Sequence, residues 1–224
     1  MTSCRDQDSR SNMGTYPAPP CRVPRLLNAG AAAAATAAGL AIATRSPRIR
    51  RLDDALERVA ATHRKRLRGV ARIGTLAGEP YIHPAIGAAT AVAILAIRGG
   101  PARRVLIPLA SASLGAILAH HAVKVVYRRG RPAIALARGK TEPSYPSGHT
   151  TDATAVLATA GYLLVREDML PARVAVPIAA TIAIATGASR VALGWHWGTD
   201  VVGGWLTGVA VALGCSATYE RLVS

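Results

Sequence analysis

The chain has 224 residues; half are hydrophobic, only 4% are aromatic, and Phe is absent. Its 27 Lys and Arg against 12 Asp and Glu leave a formal charge of +15, which points to nucleic acid, an anionic membrane surface or a phosphorylated substrate. No nucleic-acid module is recognisable, so no nucleic-acid partner is expected. Cys4, Cys21 and Cys215 are too scattered for a disulfide framework or a zinc site.

In chain order, residues 1–25 form a polar, Pro-containing lead that reads as disordered. The first apolar block, 26–44, is alanine-rich and the weakest of six. Alanine is only mildly apolar, so a peripheral helix is the alternative to a span. Residues 45–80 follow with ten Lys and Arg. Leu52, Ala55, Leu56, Val59 and Ala60 recur there at helical spacing, which predicts a basic amphipathic helix on a lipid surface, or else a solvated connector. Further apolar blocks fall at about 81–97, 105–123, 150–165, 174–188 and 201–219. At ~1.5 Å per residue each is about as long as a short membrane crossing. Ser113, Gly115 and Ala116 are small enough to let helices approach closely. The expected fold is all-α: a polytopic membrane helix bundle with about six transmembrane helices. Residues 26–80 make a weak first span plus the basic segment, and 81–224 the core.

Charged and polar residues gather in three joints: "KVVYRRGRP" (124–132), "PSYPSGHTTD" (143–152) and "SRVALGWHWGTD" (189–200). Alternating spans bring all three to one membrane face. Gly130 and Pro132 place Arg131 on a loop after the helix that carries Lys124. Fixed cations there want an anion, whereas Arg128 and Arg129 are read as flanking residues that snorkel to the interface. Ser147 suits a helix N-cap, and the N–H groups after Gly148 suit a phosphate. His149 falls in that first turn. His196 and Asp200, at i and i+4, share a face if the joint is helical; the carboxylate then fixes the imidazole tautomer. Arg190 adds a bidentate anion clamp. Trp195 and Trp197 suit the interfacial aromatic belt.

Together, Lys124 to Pro132, Pro146 to His149 and Ser189 to Asp200 resemble the three-part signature of the type 2 phosphatidic-acid phosphatase and vanadium haloperoxidase superfamily, in its membrane branch. Every signature position is filled, in order. The resemblance implies a phosphatase that needs neither metal nor cofactor. In it His196 attacks phosphorus to form a phosphohistidine and Asp200 orients His196. His149 protonates the leaving oxygen and then activates water. Lys124, Arg131, Arg190, Ser147 and the Gly148 N–H hold the phosphoryl oxygens. The alternatives are a vanadate-dependent haloperoxidase and a non-enzymatic lipid-binding or transport protein on the same scaffold.

Other polar residues carry weaker expectations. His120 and His121 point about 100° apart on a helix and make a poor metal pair. His121 is the one that would face the site. Glu142 would pair with a site cation, and Glu79 and His83 fall on the site's face. The partners expected are a lipid phosphate and the bilayer: phosphatidic acid, phosphatidylglycerol phosphate, a polyprenyl diphosphate or a polyprenyl-phosphoryl sugar phosphate. The Ala, Arg and Gly bias points to a bacterial cell membrane. The ten basic residues of 45–80 lean the site toward the cytoplasmic face.

Overall fold

The computed structural model describes residues 22–224. Most of the polar lead lies outside the described residues, with Cys4 and Cys21. Arg22 to Arg25, expected to belong to that lead, instead open the first helix.

All regular elements among the described residues are helical. They run α1 (Arg22–Ala43), α2 (Pro47–Gly74), a 3-10 turn (Leu76–Gly78), α3 (Ile82–Arg98) and α4 (Arg103–Val126). The chain continues through the short α5 (Ala133–Ala137) to α6 (Gly148–Arg166), α7 (Ala172–Ala192) and α8 (Gly198–Val223). Each of the six apolar blocks becomes one long helix. The basic segment becomes α2, which starts on Pro47 after Ser46, whose hydroxyl accepts from Arg48 N at 3.3 Å.

Four helices, α1, α4, α7 and α8, are long and apolar enough to cross a membrane. With 17 residues, α3 is shorter. Helix α6 is different in kind: it sits in the middle, packed by α3, α4, α7 and α8, and buries twelve of its residues. It therefore carries threonines where lipid-facing helices carry Val or Ile. Thr151, Thr154 and Thr159 return their hydroxyls to carbonyls one turn back, at 2.9, 2.6 and 2.8 Å. Outside, Val92, Leu114, Leu118, Val176, Ile178 and Ile184 are exposed in a lipid-facing band. The protein is an integral membrane protein.

Close packing of α8 on α6 depends on glycine. A Cβ at Gly204 would lie 2.9 Å from Ser147 O and from Thr150 Cβ, and one at Gly208 2.7 Å from Thr151 O. Ser113 and Ala116 are buried as expected, and Gly115 leaves room for Val211 of α8. The alanine-rich α1 is not loose: it packs along α8, burying Gly30, Ala37 and Ala41. At the end away from the three motifs, the buried Glu220 accepts from Tyr162 Oη and Arg166 Nε, both at 2.6 Å.

Candidate active site

Three helix ends meet on the motif face. The last turn of α4 carries Lys124, the first turn of α6 carries His149, and the last turn of α7 carries Arg190. Hydrogen bonds fix the joints to one another. Ser144 N donates to Arg129 O at 2.8 Å, and Ser147 N donates to Asp200 O at 3.0 Å. Trp197 Nε1 donates to Gly130 O at 2.9 Å. So Trp197 ties two motifs together.

The cleft between them has a volume of about 840 Å³. Lys124, Arg131, Gly148, His149, Arg190 and His196 all line it. Asp200 and Ser147 are fully buried behind it. Ser147 occupies the N-cap position of α6, but its hydroxyl makes no capping bond and instead accepts from Thr150 Oγ1 at 2.9 Å. Its side chain is buried beside Gly148 and does not line the cleft.

His196 and Asp200 meet, but not across a helix face. Helix α8 begins only at Gly198, so His196 stands on the preceding loop and Asp200 in the first turn. Asp200 Oδ2 accepts from Trp197 N at 2.9 Å and lies 3.4 Å from His196 Nδ1. The carboxylate thus caps its own helix and faces the imidazole with the same oxygen. The other ring nitrogen, Nε2, is 3.3 Å from Arg131 Nη1. Guanidinium only donates, so Nε2 carries the lone pair and Nδ1 the proton. Burial holds the His196 pKa down to about 4, against the opposing pull of Asp200, and Arg131 and Arg190 add to the lowering. The ring is neutral at pH 7.

The cations are held differently from one another. Arg131 Nε donates to Glu142 O at 2.8 Å, and Nη1 to Trp195 O at 2.9 Å. The expected pairing of Glu142 with a cation is present at 4.0 Å to Arg131 Nη2. Burial lowers the Arg131 pKa, with Glu142 and Asp200 opposing. Arg190 is buried, donates Nη1 to Thr75 Oγ1 at 2.8 Å, and leaves Nε without a partner. A buried guanidinium with a free donor beside a cleft is a ready anion ligand. Arg128 is exposed at the cleft rim. Arg129, read from sequence as a snorkelling residue, is instead held between Asp53 and Asp200, at 2.6 and 2.7 Å. Burial pulls its pKa down, but those two carboxylates outweigh it and the net shift is upward.

Sequence reasoning missed Asp53 and Thr75, and gave Glu79 no specific contact. Glu79 Oε1 lies 3.2 Å from His149 Nε2. Of the adjacent histidines, both line the cleft, but His120 is the buried one, 3.5 Å from Asp152, while His121 is exposed. His83 is buried and lines the cleft too. Among the described residues, no three His, Cys, Asp or Glu side chains gather as a metal site would require.

A family model described as the PAP2 superfamily matches residues 104–224, more than half of the chain and all three motifs. The chain belongs to the PAP2 superfamily. Phosphatidylglycerophosphatase B of Bacillus subtilis (strain 168) is 36% identical over 97 residues, 41% of this chain. That match takes in 47% of the relative, so the PAP2 chain spans about half the length of the curated protein it matches. The solved transmembrane PAP2 type phosphatidylglycerolphosphate phosphatase from Bacillus subtilis superposes with a TM-score of 0.68 at 25% identity. The superposition covers 82% of this PAP2 chain and 92% of that one.

Proposed function

We propose that this PAP2 protein is an integral-membrane lipid phosphate phosphatase working through a phosphohistidine. The observation that carries the reading is the two-sided setting of His196, with Nδ1 toward Asp200 and the lone pair of Nε2 toward Arg131 in the cleft. A neutral imidazole with a fixed tautomer is a nucleophile at pH 7.

In the first step His196 Nε2 attacks phosphorus and the bond from phosphorus to the ester oxygen breaks. His149 gives its proton to that oxygen, and the alcohol leaves. In the second step His149 takes a proton from water, the water oxygen attacks phosphorus, and the P–N bond breaks. Orthophosphate leaves and His196 is restored. Asp200 stabilises the positive charge that develops on the ring. Lys124, Arg131, Arg190 and the N–H of Gly148 hold the equatorial oxygens, where phosphoryl transfer most needs stabilisation. Arg131 exchanges its contact with Nε2 for the phosphate. Those cations supply the charge that a metal ion supplies elsewhere, so the reaction proceeds without one.

The substrate favoured is phosphatidylglycerol phosphate, because both similar proteins are named for it. Phosphatidic acid and polyprenyl diphosphates are the competing lipid phosphates. In this reading residues 81–224 are the catalytic core, and the setting is a bacterial cell membrane. The test is phosphate release from that lipid panel in EDTA, by wild type and His196→Ala. The expected result is release by wild type alone, fastest from phosphatidylglycerol phosphate. Equal release by both proteins defeats the mechanism, and release only with added Mg²⁺ defeats the metal-free reaction.

A further inference from the structure

The residues matched by the family model begin at 104, so α2 lies wholly outside them. Yet α2 grips the third motif along its whole length. Asp53, 3% exposed, accepts from Thr199 N at 3.0 Å and Thr199 Oγ1 at 2.6 Å. Leu56 packs on Gly198, where a Cβ would lie 2.5 Å from Leu56 Cδ2. Arg64 Nε donates to Ala192 O at 3.2 Å, its guanidinium paired with Glu57 at 2.7 Å. Residues 53, 56, 57 and 64 fall on one helical face. Beyond the end of α2, Thr75 holds Arg190.

One contact in this series reaches the reacting groups. Arg129 Nη2 donates to Asp53 Oδ2 at 2.6 Å, and its Nη1 to Asp200 Oδ1 at 2.7 Å. The same Nη1 lies 2.6 Å from Thr199 Oγ1. Each oxygen of Asp200 is therefore assigned: Oδ1 to Arg129, Oδ2 to Trp197 N and the His196 ring. With both oxygens held, the carboxylate has no freedom to rotate away from the imidazole.

We propose that α2 is a working part of the site: Asp53, acting through Arg129, is the positioning residue that sets Asp200 and so aims the His196 ring. The proposal rests on the reading of His196 as nucleophile. In Asp53→Asn, Arg129 has one carboxylate where it had two, while the amide oxygen can still accept from Thr199 N–H. A buried guanidinium then draws Asp200 Oδ1 out of register. Outer partners of this kind commonly change activity by about 10- to 100-fold.

The test compares wild type with Asp53→Asn, Arg129→Gln and the double variant, with the exposed neighbour Asp54→Asn as control. Two quantities are measured in detergent micelles: kcat and KM on phosphatidylglycerol phosphate, and the ¹⁵N shifts of His196 at neutral pH without substrate. The shifts report which ring nitrogen carries the proton. Wild type and Asp54→Asn should show the Nδ1–H tautomer alone. Asp53→Asn and Arg129→Gln should each show a mixture, with kcat lower by about tenfold or more and KM nearly unchanged. The double variant should lose no more than the worse single. If Asp53→Asn fails to insert, Arg129→Lys carries the same comparison, since a single ammonium cannot span both carboxylates. Wild-type kcat with an unmoved tautomer in the variants overturns the proposal. Wild type that releases no phosphate defeats the functional reading instead, while the tautomer arm still decides whether α2 positions the ring.

Discussion

Glu79 Oε1 and His149 Nε2 stand 3.2 Å apart, although the two residues come from different helix ends. Gly78, just before Glu79, lies so close to the His149 backbone that no side chain fits there. The turn at 76–78 is thus pressed onto the first turn of α6. A carboxylate at that distance can hydrogen-bond the ring and hold its orientation, and the acid role proposed for His149 requires the ring to bring a proton to a leaving alcohol.

The need for that proton depends on the leaving group. His149→Gln should lower kcat on a lipid phosphate by roughly 10²–10⁴-fold, the usual span for general acid catalysis. Loss on p-nitrophenyl phosphate should be much smaller, because nitrophenolate leaves without help. Glu79→Gln should show the same pattern at reduced size. Equal losses on both substrates would remove the acid role.

Acid pH acts on His196 first through burial, which sets its pKa near 4. The sign follows directly: the ring stays neutral, the form the proposed nucleophile needs, from pH 7 down to about 4, and is protonated only below that. Corrected for ionisation of the substrate, kcat/KM should hold its value through pH 5 and fall near pH 4. Asp200 opposes the lowering, so in Asp200→Asn the fall should move to still lower pH, on a much reduced rate. A fall centred at the ordinary value of 6.5 would contradict the burial seen here.

Arg190 offers an unpartnered Nε beside the cleft, with Nη1 already given to Thr75. Lysine keeps the charge but not the fork. A hydrogen bond to a charged group is worth about 1.5–3 kcal/mol, so Arg190→Lys should weaken inhibition by orthophosphate about tenfold to a hundredfold. The inhibition constant measured in the two proteins decides it.

Helix packing near the site should be intolerant at one glycine and indifferent at another. A Cβ at Gly203 would run into the Tyr145 ring, whose hydroxyl is fixed to Ala37 O. Gly203→Ala should cost about 1–3 kcal/mol, read as a lower midpoint of unfolding in mixed micelles. Gly214 has nothing within 4 Å of a Cβ, so Gly214→Ala should leave that midpoint in place.

Much of this was legible in the sequence, for reasons that differ by element. Six apolar blocks gave six long helices because lipid selects composition over a length that can be counted. Lys124, Arg131, Gly148, His149, Arg190 and His196 reached one cleft because alternating spans return odd-numbered joints to the same face. Asp53 was not legible: in "RLDDALER" it reads as one more charge on a surface helix, and only packing of α2 on the start of α8 buries it. Arg129 failed for the same reason, its neighbour Arg128 being exposed as expected. The expectation of a helical His196–Asp200 face failed because helix α8 starts two residues after His196, and a first-turn carboxylate reaches back to its own N-terminus.

Helix α6 has a consequence for how the protein is made. Surrounded by four helices and rich in threonine, it falls outside the helices apolar enough to cross a membrane by themselves. A translocon that sorts segments by hydrophobicity would hold it weakly. Its stable place in the bilayer depends on α4 before it and on α7 and α8, which are synthesised after it. The stretch from Ser147 to His149 therefore takes its final position only when α8 has packed on α6. A ribosome stalled before α8 would leave α6 without the glycine face, Gly204 and Gly208, that packs against Ser147 to Thr154.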